Sequence, residues 1–137
     1  MTATAPILAV LDTNVVVSAF ISPGGPPARI LASLGRRAFV PLFDARVVNE
    51  YRAVLMRPKF GLAAADVERF TREFMARGWA VEPTTWTAPM TDESDRAFVE
   101  VALSQSGILV TGNAGHFPDE PWVMSPSDFW TRLRADL

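Results

Sequence analysis

Ile7-Leu8-Ala9-Val10-Leu11-Asp12-Thr13-Asn14 is the stretch that decides the fold. Five apolar residues without polar alternation predict a parallel strand buried on both faces. The acid ending the run stands at the strand's carboxyl end, where open α/β sheets place their ligands. An isolated carboxylate after five buried positions is costly unless it opens onto a cleft. Asp12 is therefore the first candidate functional residue, the competing reading being a turn acid that organises the next helix.

Outward from this strand, Val15 to Ile21 predicts a short helix. Ser22-Pro23-Gly24-Gly25-Pro26-Pro27 breaks it before a second helical run, Ala28 to Arg37. Phe39 to Phe43 reads as strand two. Asp44 predicts an N-cap for a helix through Met56, with Val47, Val48, Tyr51, Val54 and Leu55 on its apolar face and Pro58 past its end. Ala63 to Arg77 repeats the helical pattern, with Gly78 as C-cap, and Trp79 to Val81 predicts a short strand. The Pro- and Thr-rich stretch Glu82 to Met90 reads as a loop. Thr91 is expected to cap a helix to Ser106 that carries Asp92, Glu93 and Asp95 in its first turn and is closed by Gly107.

Ile108 to Val110 is a further short buried strand, ended by the turn Thr111-Gly112-Asn113. Trp122 to Met124 predicts the last strand. Ser125, Pro126 and Asp128 supply a cap, a proline at the first helical position and an acid three residues after the cap. Phe129, Trp130, Leu133 and Leu137 give that terminal helix its packing face. Short apolar strands separated by amphipathic helices predict one α/β/α domain over residues 1–137, with the ends of Ile7 to Leu11 and Ile108 to Val110 close together.

The chain has 137 residues, 49% hydrophobic and 20% charged, with mean hydropathy +0.15, which suits one domain with a real core. Without cysteine there is neither a disulfide framework nor thiolate chemistry. With no 18-residue apolar span and no basic-then-apolar leader, the expectation is a cytoplasmic protein with no membrane segment. The net charge of −2 hides an asymmetry: residues 1–60 hold seven bases and three acids, residues 61–137 six bases and twelve acids. Arg29, Arg36, Arg37, Arg46, Arg52, Arg57 and Lys59 are the candidate phosphate contacts, since arginine's planar fork matches phosphate.

Three acids stand out: Asp12 at a strand end, Glu50 within an apolar helix face, and Asp95 one turn into a helix. Together they would suit a hard dication, which prefers carboxylate oxygens and waters and leaves room for a substrate phosphate. Clustered without a metal, they would repel one another and raise at least one pKa. Glu50 has a competing reading as an exposed partner of Arg46, and Asp92 shares a face with Asp95. Thr13 is a candidate hydroxyl donor, Asn14 a loop organiser, and Asn113 a partner for a metal-bound water. His116 is the single histidine; with no second one and no cysteine, zinc is disfavoured and His116 is expected to be peripheral. No dinucleotide fingerprint, phosphate loop or nucleophile elbow is present.

Leu11-Asp12-Thr13-Asn14-Val15, Ser22-Pro23-Gly24-Gly25-Pro26-Pro27-Ala28, Glu50-Tyr51, Arg57-Pro58-Lys59-Phe60, Asp95-Arg96-Ala97-Phe98 and Thr111-Gly112-Asn113-Ala114-Gly115-His116-Phe117-Pro118 together resemble the PIN-domain family. The likeness is to its branch of bacterial toxin-antitoxin toxins related to the VapC ribonucleases. The resemblance implies a three-layer α/β/α PIN-like fold with a central mostly parallel sheet. It also implies an Mg²⁺- or Mn²⁺-dependent endoribonuclease, the toxin of a toxin-antitoxin pair.

Under that resemblance Asp12, Glu50 and Asp95 carry catalysis and hold the metal, with Asp92 or Asn113 as additional ligands. Thr13, Asn14, Thr111 and Asn113 support the site. The family's fourth acid falls on Asn113, and three residues later stands His116, so no fourth carboxylate is restored. Expected partners are RNA, a small antitoxin protein and a second copy in a homodimer, for which four tryptophans and nine phenylalanines supply aromatic surface. The alternative is a weakly active or inactive PIN-like module that binds nucleic acid or protein, as the neutral Asn113 and the net negative charge suggest.

Overall fold

The computed structural model describes residues 5–135. Leu137, expected on the last helix's packing face, lies outside the described residues. β1 (Leu8–Leu11) leads into α1 (Thr13–Ile21) and α2 (Pro26–Ala32), then β2 (Val40–Phe43), α3 (Ala45–Leu55), α4 (Ala64–Arg77) and β3 (Trp79–Ala80). After a long loop come α5 (Arg96–Ser104), β4 (Ile108–Val110), β5 (Val123–Met124) and α6 (Pro126–Ala135).

The strands form one parallel sheet in the order β3-β2-β1-β4-β5. Ala9 pairs with Ile108, Val10 with Leu109 and Leu11 with Val110, so β1 and β4 end level with each other. The chain lays β2 and β3 to one side of β1 and then crosses to the other for β4. The connections leaving β1 and β4 therefore diverge and open a crevice at their carboxyl ends. α5 packs across β1, β2 and β4, α4 packs on β2, and α2 lies between α1 and α6. The result is the three-layer α/β/α architecture with a central parallel sheet that the sequence predicts.

Of the unalternated run at the start, Ala9, Val10 and Leu11 are fully inaccessible as expected, whereas Ile7 and Leu8 are only half-buried and the strand begins at Leu8. Asp44 caps α3 by accepting the Val47 N–H at 3.0 Å, and Ser125 caps α6 by accepting the Asp128 N–H at 3.0 Å. The helix before β4 starts differently from expectation. Asp92, not Thr91, is the cap; it opens a 3-10 turn, Glu93–Asp95, that precedes α5. The left-handed residue after α5 is Ser106 (φ 51°), not Gly107.

Gly107 is needed for packing instead, since a Cβ there would stand 2.8 Å from Leu42 Cδ1. Gly78 is likewise extended rather than left-handed, and its Cβ would fall 2.4 Å from the Pro41 carbonyl oxygen. The predicted helix Ala28 to Arg37 splits. α2 begins two residues earlier, at Pro26, and tightens at Ser33 into a 3-10 turn that ends at left-handed Arg37. The Ser33 hydroxyl donates to the Ile30 carbonyl at 2.6 Å, competing with the helical ladder. Most of the aromatic supply fills the interior, where Tyr51, Phe74 and Phe98 are among the largest fully buried side chains. Trp79, 44% exposed, is the one aromatic among the large hydrophobics left exposed.

Candidate functional site

A polar cleft of about 220 Å³ opens at the carboxyl ends of β1 and β4. Asp12, Thr13, Asn14, Glu50, Asp95 and Asn113 line it, so positions up to 101 residues apart meet in one place. Arg57, Asp92, Ser94 and His116 share the wall with the apolar side chains of Val54 and Phe117. Three elements bring the acids together: the end of β1 carries Asp12, the second turn of α3 carries Glu50, and the 3-10 turn before α5 carries Asp95.

Asp12 is 4% exposed, and its N–H donates to the Val110 carbonyl at 2.9 Å, locking the two strand ends. The Thr111 hydroxyl donates to Asp12 Oδ2 at 2.8 Å and itself accepts the Asn113 N–H at 2.9 Å. Burial pushes the Asp12 carboxyl above its ordinary range; the bonds from Thr111 and from the Thr13 N–H pull the other way, and the Glu50 charge adds to the rise. Asp95 is raised to about 6 by partial burial and by the charges of Asp12, Asp92 and Glu50, with His116 opposing. Such mutual perturbation of acids in a cleft is a feature of functional sites.

Glu50 does not pair with Arg46, contrary to its competing reading. Arg46 turns instead to Asp44 and Glu100, each at 2.8 Å, while Glu50 stays half-buried at the cleft. Its neighbour Tyr51 donates its hydroxyl to the Leu11 carbonyl, pinning α3 to the end of β1 beside Asp12. The sequence reading placed Tyr51 only on an apolar face. The need of a buried phenol for a partner was the signal that could have found this bond. Asp92 lies on the rim, but its carboxylate is occupied by the Ser94 N–H and hydroxyl, which hold it below its ordinary range.

His116, expected to be peripheral, is an exposed side chain at the cleft wall. It lines the cleft, with Nδ1 3.0 Å from Asn113 Nδ2, because the turn after β4 folds back as a short 3-10 segment, Ala114–His116. The seven early bases do not form one rim. Arg57 lines the cleft, whereas Arg46 is bound to two acids and Arg52 pairs with Glu68 at 3.2 Å. Arg36 and Arg37 precede β2 and so sit toward the amino end of the parallel strands, away from the cleft. Arg29 on α2 and Lys59, whose Nζ lies 5.1 Å from the centre of the Phe60 ring, are not among the cleft residues.

The three acids share one cleft, as the expected sharing of one ion or its waters requires. Among the described residues, no three His, Cys, Asp or Glu side chains are grouped so as to hold a metal ion. The Thr111 hydroxyl holds the Asp12 carboxylate and Ser94 holds that of Asp92. The donor chemistry nevertheless fits a hard dication, which one or two carboxylates, waters and a phosphate can hold without a protein cage. Thr13 Oγ1 is buried at the same wall and has no hydrogen-bond partner among the described residues. An orphaned buried hydroxyl of this kind calls for a group from outside the chain or an ordered water.

The PIN domain family model matches residues 8–115, a span that includes every cleft acid. An uncharacterized protein of Methanocaldococcus jannaschii, MJ1680, is 28% identical over 110 residues, covering 78% of this chain and 71% of that protein. Among solved structures, PAE2754 from Pyrobaculum aerophilum superposes with a TM-score of 0.59 at 15% identity, over 94% of this chain and 90% of that one. VapBC2 from Rickettsia felis, bound to a DNA fragment from its promoter, gives 0.57 at 15% identity, over 87% and 97%. At these identities the two structures share the fold, and the family match extends through most of the chain. The chain belongs to the PIN-domain family.

Proposed function

We propose that this chain is a PIN-domain module that binds RNA at the acidic cleft and hydrolyses it weakly. The observation that carries this reading is the convergence of Asp12, Glu50 and Asp95 on one cleft without a three-ligand group. Asp12 and Asp95 would hold Mg²⁺ or Mn²⁺ with Glu50, largely through waters, and Asn113 in place of an acid keeps the affinity low. When bound, the ion supplies polarisation of water and of the phosphodiester. Thr111 fixes the Asp12 carboxylate, Thr13 would offer its hydroxyl, and Arg57 in the cleft wall would meet the phosphate.

A second reading, a fully active Mg²⁺- or Mn²⁺-dependent endoribonuclease acting as the toxin of a toxin-antitoxin pair, is favoured by the Asp95 carboxyl raised to about 6. Either reading includes a cytoplasmic setting, a small antitoxin-type partner and a homodimer. The likeness to VapBC2 supports the partner.

The test uses a broad RNA pool with Mg²⁺, Mn²⁺ or EDTA, and wild type beside Asp12→Asn and Asn113→Asp, all checked by circular dichroism. Slow, metal-dependent cleavage that is lost in Asp12→Asn and rises about tenfold in Asn113→Asp is expected. Rapid wild-type cleavage unchanged by Asn113→Asp would select the second reading. RNA binding with no cleavage would leave a binding module. Equal cleavage by wild type and folded Asp12→Asn would refute the role given to the acids.

A further inference from the structure

A second groove, of about 350 Å³, lies beside the acidic cleft and shares Asn14 and Asn113 with it. Its remaining walls come from Val15 and Ser18 of α1, Pro27 of α2, Gly112 and Pro126 at the start of α6. We propose that this groove receives one unpaired base of a single-stranded RNA whose phosphate lies in the acidic cleft. The proposal rests on the reading of that cleft as an RNA site and extends it to base recognition.

The two spaces differ in chemistry although they share two lining residues. The cleft carries four carboxylates, whereas among the described residues none that lines the groove is charged. A nucleobase is uncharged, with flat apolar faces and donor and acceptor groups on its edge. Two half-buried proline rings supply apolar surface for the faces, and two side-chain amides and a hydroxyl supply partners for the edge. Asparagine amides pair in bidentate fashion with base edges, and single-stranded RNA exposes those edges for reading.

Asn113 is prepared for such a role. Its N–H is held by Thr111 Oγ1 and its Nδ2 faces His116 Nδ1, which leaves its Oδ1 to accept from a ligand. Asn14 is exposed at the first turn of α1. At Gly112 an added Cβ would meet nothing within 4 Å, so the entrance is unobstructed and a larger side chain there could close it without disturbing the core.

The experiment measures binding of fluorescent 12-nucleotide poly(A), poly(C) and poly(U) in EDTA, by anisotropy, to wild type, Gly112→Val and Ser18→Phe. Circular dichroism checks the fold, and the Mn²⁺-induced shift in melting temperature reports on the acidic cleft. Wild type is expected to separate the three RNAs by about fivefold or more in affinity, the scale of one stacked or edge-bonded base. Both variants are expected to bring them within about twofold while keeping the Mn²⁺ shift. An unchanged ranking in folded Gly112→Val overturns the inference and leaves the RNA reading standing, as does wild-type binding with no base preference. Wild type that binds none of the RNAs overturns the reading of the cleft, and the groove assignment with it.

Discussion

Replacing Asp95 with asparagine should stabilise the metal-free protein at neutral pH, although it removes a charged surface group. The Asp95 carboxyl is raised from 3.8 to about 6 by burial and by Asp12, Asp92 and Glu50, with His116 the opposing charge. At about 1.36 kcal/mol per pH unit, the full effect would be about 3 kcal/mol. Asp95 is only partly buried, and solvent screening brings the stability cost down to about 1 kcal/mol. Below pH 3.8 the carboxyl is protonated in both folded and unfolded chains and costs nothing. Between 3.8 and about 6 the unfolded chain releases the proton that the folded chain retains, so stability falls as pH rises; above about 6 the penalty is complete. Thermal melts in EDTA at pH 7.5 should place Asp95→Asn about 3–5 °C above wild type, and the gain should vanish near pH 3.5. Adding Mn²⁺ should then favour wild type. A variant less stable than wild type at pH 7.5, or one with an equal gain at both pH values, would show that the acids do not repel one another as argued.

Thr111→Val removes the hydroxyl that donates to buried Asp12 and accepts from Asn113. It should cost about 2 kcal/mol in urea denaturation. Gly78→Ala drives a methyl against the Pro41 carbonyl and should cost about 2 kcal/mol, visible as a lower midpoint at unchanged slope. Arg57→Ala should weaken RNA binding by about threefold to tenfold and flatten its salt dependence, while Arg36→Ala, at the other end of the sheet, should change neither.

The first strand, the caps at Asp44 and Ser125 and the buried run Ile108 to Val110 were legible because each follows from local patterning of neighbouring residues. So was the prominence of Asp12, because a carboxylate directly after a buried run has few tolerable places to be. The start of the helix near Asp95 was less legible. Thr91 and Asp92 are both good caps, and only the folded turn, with Asp92 accepting from Ser94, separates them. The place of His116 at the cleft wall was not legible, because a single histidine in a polar turn carries no periodic signal, and its approach to the cleft depends on a 3-10 segment after β4.

By itself, then, the sequence determined the kinds of element, the parallel character of the buried strands and the residue types available for chemistry, since these depend on spacing within short windows. Tertiary structure alone decided which distant groups meet. It set Glu50 beside Asp12 by anchoring Tyr51 on Leu11, withdrew Arg46 into a pair with Asp44 and Glu100, and put Arg36 and Arg37 at the opposite end of the sheet. It also brought the three acids to one cleft. The reason is that electrostatic and hydrogen-bond energies depend on separations in space, and those separations are fixed by strand order and helix packing rather than by position along the chain.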